Sequence, residues 1–240
     1  MPRTIVYAIV EGQTENAVLM KLLATHLGSL GVDLHCPIIR FGTGRGGVKG
    51  LKLNTFVEQI QRFLKDKRQP VVTTFFDYYG FPHGEKSGWA FVAEAKLNAA
   101  TYGLNSTIQS IERKIHQAGI EGINLPNVAN RFIPYIQAHE LEALFFAEPH
   151  TMATVFEIPS QAYHFLKAVT ECNGDCEKIN NSPQTAPSKR IQTIFPGYIK
   201  GRSDFAHGPR LAEKLTLSVV RKACPRFSSW VSSLERLAPN

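Results

Sequence analysis

The stretch from Thr4 to Glu15 constrains the fold more than any other part of the chain. Ile5 to Val10 is an unbroken apolar run of strand length, rich in β-branched side chains, and Glu11 and Gly12 end it with a carboxylate and a flexible turn. That pattern reads as a buried strand finishing in an acid. Thr14 is placed to cap a following helix, whose apolar positions Ala17, Val18, Met20, Leu22, Leu23, Leu27 and Leu30 recur at helical spacing. Strand, acidic turn and helix in this order belong to open α/β sheets, where ligands sit in the crevice beyond the carboxyl ends of the strands.

A second segment repeats the device. Val71 to Phe76 is a β-branched and aromatic run that passes directly into Asp77, Tyr78, Tyr79 and Gly80. If the two strands are parallel neighbours, Glu11 and Asp77 emerge on one edge of the sheet, close enough to share a divalent cation. Without a cation or a shared proton, such a pair repels, more strongly as the edge dries out. A third run, Arg131 to Ala138, carries Pro134 and so reads as an edge or bulged strand; it ends in His139, Glu140 and Glu142. His139 and Glu140 join the site, whereas Glu142 fits equally well as an acid in the first turn of a helix, stabilising its dipole.

Between these strands the chain reads as connections and helices. Leu34 to Phe41 is a further strand candidate, followed by a glycine-rich basic loop, Gly42 to Gly50, that contains Arg45. Lys49 follows Val48 and not a glycine, so the loop is not a phosphate loop, and it reads as a basic connection near substrate. A helix starting at Asn54 turns Phe56, Val57, Ile60, Phe63 and Leu64 inward. Residues 84 to 130 read as an insertion with one helix from Phe91 to Tyr102 and a second near Ile108 to Ala118.

Composition narrows the class. With 240 residues and 43% hydrophobic content, the chain holds one large domain, or a domain with a subdomain, around a proper core. No apolar run approaches the ~18 residues of a membrane span. The first residues also lack the order of a signal peptide, so the expectation is a cytoplasmic protein without membrane association. Cys36, Cys172, Cys176 and Cys224 make neither a disulfide framework nor a zinc site, and read as reduced thiols. Residues 177 to 240 carry 11 Lys/Arg against 4 Asp/Glu, so the whole formal charge of +7 belongs to the carboxyl-terminal quarter. A one-sided basic segment suits a polyanion. Within it, Ser188 is placed to cap a short helix, with Lys189 and Arg190 beside its backbone donors as an anion seat. Tyr198, Lys200, Arg202 and His207 follow, an aromatic and basic mixture suited to nucleotides. Helical patterns around Leu211 to Ala223 and Phe227 to Leu237 close the chain.

Val10 to Glu15 together with Phe76 to Gly80 resembles the Toprim domain of topoisomerases, primases and OLD-type nucleases. More closely, the chain resembles the Toprim-like family of unknown function numbered 4276. The shared features are Val10 to Glu15, Asp77 to Gly80, Phe132 to Phe145, Thr185 to Arg190, Phe195 to Tyr198 and Cys224 to Phe227. The resemblance implies a mostly parallel sheet flanked by helices over residues 1 to 150, with residues 84 to 130 inserted, and a helical basic subdomain over residues 151 to 240. It implies a nuclease dependent on magnesium or manganese, acting as effector beside an ABC-type or AAA-type ATPase in bacterial defence, with homo-oligomerisation left open. Glu11, Asp77 and Glu140 would be catalytic, and Glu15 and Glu142 would join them as metal ligands. Arg45, Lys189, Arg190, Tyr198 and Lys200 would bind the nucleic acid. Toprim domains carry Asp-x-Asp where this chain has Asp77 and Tyr79, so one ligand is replaced. The alternative is a docking module without catalysis that binds an ATPase and nucleic acid.

Overall fold

The computed structural model describes residues 3–40, 50–179, 185–199 and 207–239, apart from the side chain of Glu85. In chain order the elements begin with β1 (Thr4–Val10), α1 (Gln13–Ser29), β2 (Val32–His35), α2 (Leu53–Leu64) and β3 (Val71–Asp77). Next come α3 (Ala90–Leu97), α4 (Ala99–Tyr102), α5 (Leu104–Ile120), β4 (Phe132–Ile133) and β5 (Ile136–Gln137). The chain then continues through α6 (Pro149–Val155), α7 (Ala162–Glu171), α8 (Pro187–Ile194), α9 (His207–Ala212), α10 (Leu217–Ala223) and α11 (Pro225–Glu235).

The strands form one sheet in the order β2-β1-β3-β4, with β5 also paired to β3, and every pairing is parallel. Parallel strands need helical crossovers, and those helices cover the sheet. Every residue of the central strand β3 is accordingly buried. Val6, Ala8, Val10 and Phe75 face one core with α1 and the carboxyl-terminal helices, including Leu211, Phe227 and Trp230. Ile9, Val72, Phe76 and Ile136 face the other, with Phe56 and Ile60 of α2 and Ile108, Ile111 and Ile115 of α5. The fold is therefore α/β with a parallel sheet flanked by helices.

Three local expectations change. The strand expected over Leu34 to Phe41 starts at Val32 and closes at His35, because Pro37 has no N–H for a ladder. The chain returns to β1 once, with Val10 N donating to Pro37 O at 3.0 Å and Ile39 N to Val10 O at 2.9 Å; Phe41 lies outside the described residues. Thr14 is not a cap. Gly12 holds that position, its carbonyl accepting from Asn16 N at 3.1 Å, and Thr14 is buried in the first turn of α1. There it meets α9 at Gly208, where an added Cβ would lie 2.8 Å from Thr14 Cγ2. The expected Phe91 to Tyr102 helix is two helices divided at Asn98, and the next helix begins earlier, at Leu104.

Pro134 does interrupt its strand, dividing β4 from β5. The backbone freed at the break is satisfied by Thr74, whose hydroxyl accepts from Tyr135 N at 2.9 Å and donates to Tyr135 O at 2.8 Å. Next to it, Glu112 of α5 accepts from Ile136 N at 2.8 Å and pairs with Arg226 of α11, which donates to Ile136 O at 3.2 Å. This partly buried pair ties a helix from each face to the outer strand.

Gly119 shows how closely α5 approaches the sheet. A side chain there would meet the Phe132 ring, 2.8 Å from its Cδ1. Helix propensity alone favours Ala over Gly by ~1 kcal/mol, but forcing a methyl into a filled contact costs about 1–3 kcal/mol. Gly119→Ala is expected to lower unfolding free energy in urea titration; a gain would show that the ring yields freely.

Candidate active site at the carboxyl edge of the sheet

The site follows from register. Val10 of β1 is level with Phe75 of β3, so Glu11 and Asp77 leave their strands side by side. Glu11 Oε1 accepts from the Asp77 backbone N at 2.8 Å. On the other flank Asp77 is level with Gln137 of β5, and the ladder continues beyond the strands through Tyr78 N to Gln137 O at 3.0 Å and Tyr79 N to His139 O at 3.1 Å. His139 has φ +60°, a left-handed conformation rare for a residue with a Cβ. The chain turns there, and Glu140 precedes a 3₁₀ segment, Leu141–Ala147, whose first N–H donates to Asp77 Oδ1 at 2.7 Å.

The remaining acids come to the same edge. Glu140 Oε2 accepts from Ser188 N, in the first turn of α8, at 2.9 Å. Glu142 Oε1 accepts from the Tyr198 hydroxyl at 3.0 Å. Glu15 lies in the first turn of α1 and folds back over Gly12, where an added Cβ would be 3.1 Å from its Oε2. Burial pushes the Tyr198 phenol well up, and the negative charges of Glu142, which accepts its hydrogen bond, and of Glu140 and Glu15 push it further. Gly80 sits against Glu11, with an added Cβ 3.4 Å from Oε2.

These donors are all oxygens, the set that suits magnesium or manganese. Magnesium is commonly held by one or two carboxylates completed by water and substrate phosphate. Glu11 and Asp77, joined at the edge through the Asp77 N–H, are two acids of that kind. Among the described residues, no group of three or more His, Cys, Asp or Glu side chains is placed to hold a metal ion.

The residues expected to bind substrate are dispersed. Ser188 does not cap α8: Ala186 does, and the Ser188 N–H is taken by Glu140. The anion seat expected at this helix is thus filled by the protein's own carboxylate. Arg190 pairs with Glu171 at 3.5 Å and donates to Thr185 O at 3.3 Å, while exposed Lys189 donates to Gln192 Oε1 at 3.0 Å. Tyr198 is 5% exposed and packs against Phe156 and His207, so its ring offers no open face for stacking a base. Arg45, Lys200 and Arg202 lie outside the described residues.

Some groups at this edge were not legible as site residues. Tyr79, read only as a departure from Asp-x-Asp, stands beside His139 with ring centroids 5.9 Å apart. Lys96 of α3 lies over the Tyr78 ring at 4.8 Å, and burial lowers its ammonium to about 8. Neither had a spacing signal, because their partners are distant in sequence.

Behind the edge, both Glu177 oxygens accept backbone N–H groups of α11, Arg226 N at 2.6 Å and Phe227 N at 3.1 Å. Burial outweighs those bonds and raises its carboxyl from 4.5 to about 7. The folded state then holds this proton where the unfolded chain has lost it. The contribution to stability is present below 4.5 and lost as pH rises to about 7. Glu177→Gln removes that loss: relative to the parent, the variant is expected to gain on the order of 3 kcal/mol between those limits. Urea titrations at a series of pH values check this, and a constant difference would place the ionised carboxylate comfortably in its site.

A parallel α/β sheet whose carboxyl edge collects acids from successive strands defines the class. The chain belongs to the family described as Domain of unknown function (DUF4276), whose model matches residues 10–235. No curated protein and no solved structure matches it.

Proposed function

We propose that the protein is a metal-dependent nuclease that hydrolyses phosphodiester bonds of DNA or RNA, with a Toprim-like arrangement of its acids. The observation that supports this most is the convergence of Glu11, Asp77 and Glu140 at one sheet edge, joined through Asp77 N and a shared ladder. Glu11 and Asp77 would hold magnesium or manganese, with Glu140 assisting and Glu15 and Glu142 behind. The ion, when bound, would supply stabilisation of charge on the transferring phosphoryl group. Glu11 would take a proton from the attacking water and return it to the departing ester oxygen. In the same reading the protein is the effector of a bacterial defence system and works with an ABC-type or AAA-type ATPase.

Glu11→Gln keeps an oxygen for the Asp77 N–H and removes the charge. It is expected to reduce cleavage about 100-fold or more, with nucleic-acid affinity retained. Thermal stability should hold or rise, since one member of a mutually repulsive group of carboxylates becomes neutral. Cleavage equal to the parent's on DNA and RNA would transfer support to the docking-module reading.

Among the described residues, Lys189 is the expected phosphate contact that remains exposed. Lys189→Ala should lower the salt dependence of nucleic-acid binding by roughly one unit of slope. Arg190→Ala should change it less, because Glu171 already neutralises that guanidinium. Equal slopes in parent and Lys189→Ala would remove α8 from the interface.

A further inference from the structure

A cavity on the α2 face of the sheet has no part in the roles above. Its first wall is Pro37 to Arg40, which runs along β1 past the end of β2: Val10 N donates to Pro37 O at 3.0 Å and Ile39 N to Val10 O at 2.9 Å. Gln59 of α2 clasps the next residue, its Oε1 accepting from Arg40 N at 3.0 Å and its Nε2 donating to Arg40 O at 2.7 Å. Between this segment and α2 opens a cavity of about 540 Å³. Ile9 and Ile39, each 1% exposed, form its floor, with Ile38 and Phe63 beside them. Arg40 and Arg62, both exposed, stand at its rim.

The lining limits what the cavity receives. Elsewhere guanidinium groups are spent on the protein's own acids: Arg68 pairs with Asp66, Arg190 with Glu171 and Arg226 with Glu112. Among the described residues, the side chains of Arg40 and Arg62 have no such partner, and they line one cavity. Ligand pockets span ~300–1,000 Å³ and combine apolar walls with a few placed polar groups. Two guanidinium groups above an apolar floor suit a ligand with an anionic part and a flat, weakly polar part. A nucleotide has that composition, phosphate for the rim and base for the floor, and Glu58 in the same lining is an acceptor for a base amino group. A simple anion leaves the floor empty, and an apolar molecule leaves the cations unanswered. A base in a duplex is stacked and paired, so it reaches such a cavity only when it is unpaired.

We infer that this cavity seats an unpaired nucleotide of the substrate, so that the strand presented to the acids is single-stranded there; the inference rests on the nuclease reading above. Placement favours the substrate over a separate ligand. Glu11 follows Ile9 by two residues, roughly 7 Å of strand, and the Pro37–Arg40 wall is bonded to Val10, immediately before Glu11. A strand with its base over Ile9 and its phosphates at Arg40 and Arg62 brings a neighbouring phosphate toward Glu11 and Asp77. The Gln59 clasp fixes the wall before the strand arrives, which lowers the ordering cost of binding. Arg40 and Arg62 bind and orient the strand and take no part in proton transfer.

The test uses the full chain and fluorescence anisotropy, without added metal so that no strand is cut. The probes are labelled single-stranded DNA and RNA, a blunt duplex, and a single strand made of abasic sites. The parent is expected to bind the intact single strand about tenfold tighter than the abasic strand, and tighter than the duplex. Arg40→Gln with Arg62→Gln should weaken single-strand binding about tenfold and lower its salt slope by about 1.4, roughly 0.7 for each phosphate no longer neutralised. Tm should stay at the parent's value, since both side chains are exposed. With magnesium or manganese, the double variant should show a raised KM and an unchanged kcat. Equal binding of intact and abasic strands, a preference for duplex, or a double variant that binds like the parent overturns the seat; the last outcome would leave the two cations to an acidic protein partner. If the parent cuts nucleic acid while any of these holds, the seat fails and the nuclease reading stands. A parent that binds as expected and cuts neither DNA nor RNA supports the seat and ends the nuclease reading, and one that binds no strand ends both.

Discussion

The parallel register of β1 against β3 is the constraint on which the candidate site depends. Level pairing of Val10 with Phe75 brings two strand-end acids together, and the bond from Asp77 N to Glu11 Oε1 at 2.8 Å holds them there. Hydrogen bonds to charged groups contribute about 1.5–3 kcal/mol, enough to offset part of the repulsion between neighbouring carboxylates. The same device recurs around the edge. Asp77 is met by Leu141 N and Glu140 by Ser188 N. Each acid is balanced by the backbone of another segment, so the edge can gather negative charge and stay folded.

That balance explains the arrangement of the carboxyl-terminal helices. α8 brings its first turn to Glu140, Tyr198 reaches Glu142, and the first turn of α11 is met by Glu177. Helix amino termini attract anions because their N–H groups lack intrahelical partners. In this protein the acids of the sheet edge and of the 176–178 turn satisfy two of them. The helices thus serve the acids from within, and the basic charge of this quarter of the chain is not concentrated at the amino terminus of α8.

A second dependence runs through the outer strand. Pro134 breaks it, yet β5 must be positioned to carry His139 and Glu140 to the edge. Thr74 satisfies the broken backbone, and the Glu112–Arg226 pair clamps Ile136 from both faces. Removing one partner of this partly buried pair is destabilising, since the other charge is left without its counterpart in a poor medium. The clamp gives Glu112 and Arg226 a positioning role at a distance from the acids.

The sequence by itself determined the strands that end in acid. Ile5 to Val10 is apolar and Val71 to Phe76 is β-branched and aromatic, neither with alternation, which points to strands covered on both faces, and the acids that follow then lie at a sheet edge. It also marked Pro134 as an edge or bulge position, because a residue without an N–H cannot sustain a ladder whatever surrounds it. The tertiary structure decided what each polar side chain does. Thr14 and Ser188 carry the chemistry of caps, but the chain enters each helix earlier, and packing against Gly208 or a bond to Glu140 takes over. Tyr198 looks like a stacking residue until burial gives its hydroxyl to Glu142. Tyr79 and His139, 60 residues apart in sequence, are neighbours only because β5 lies level with β3. Local pattern determines backbone shape through sterics and solvation over a few residues, whereas a polar side chain's role depends on partners supplied from anywhere in the fold.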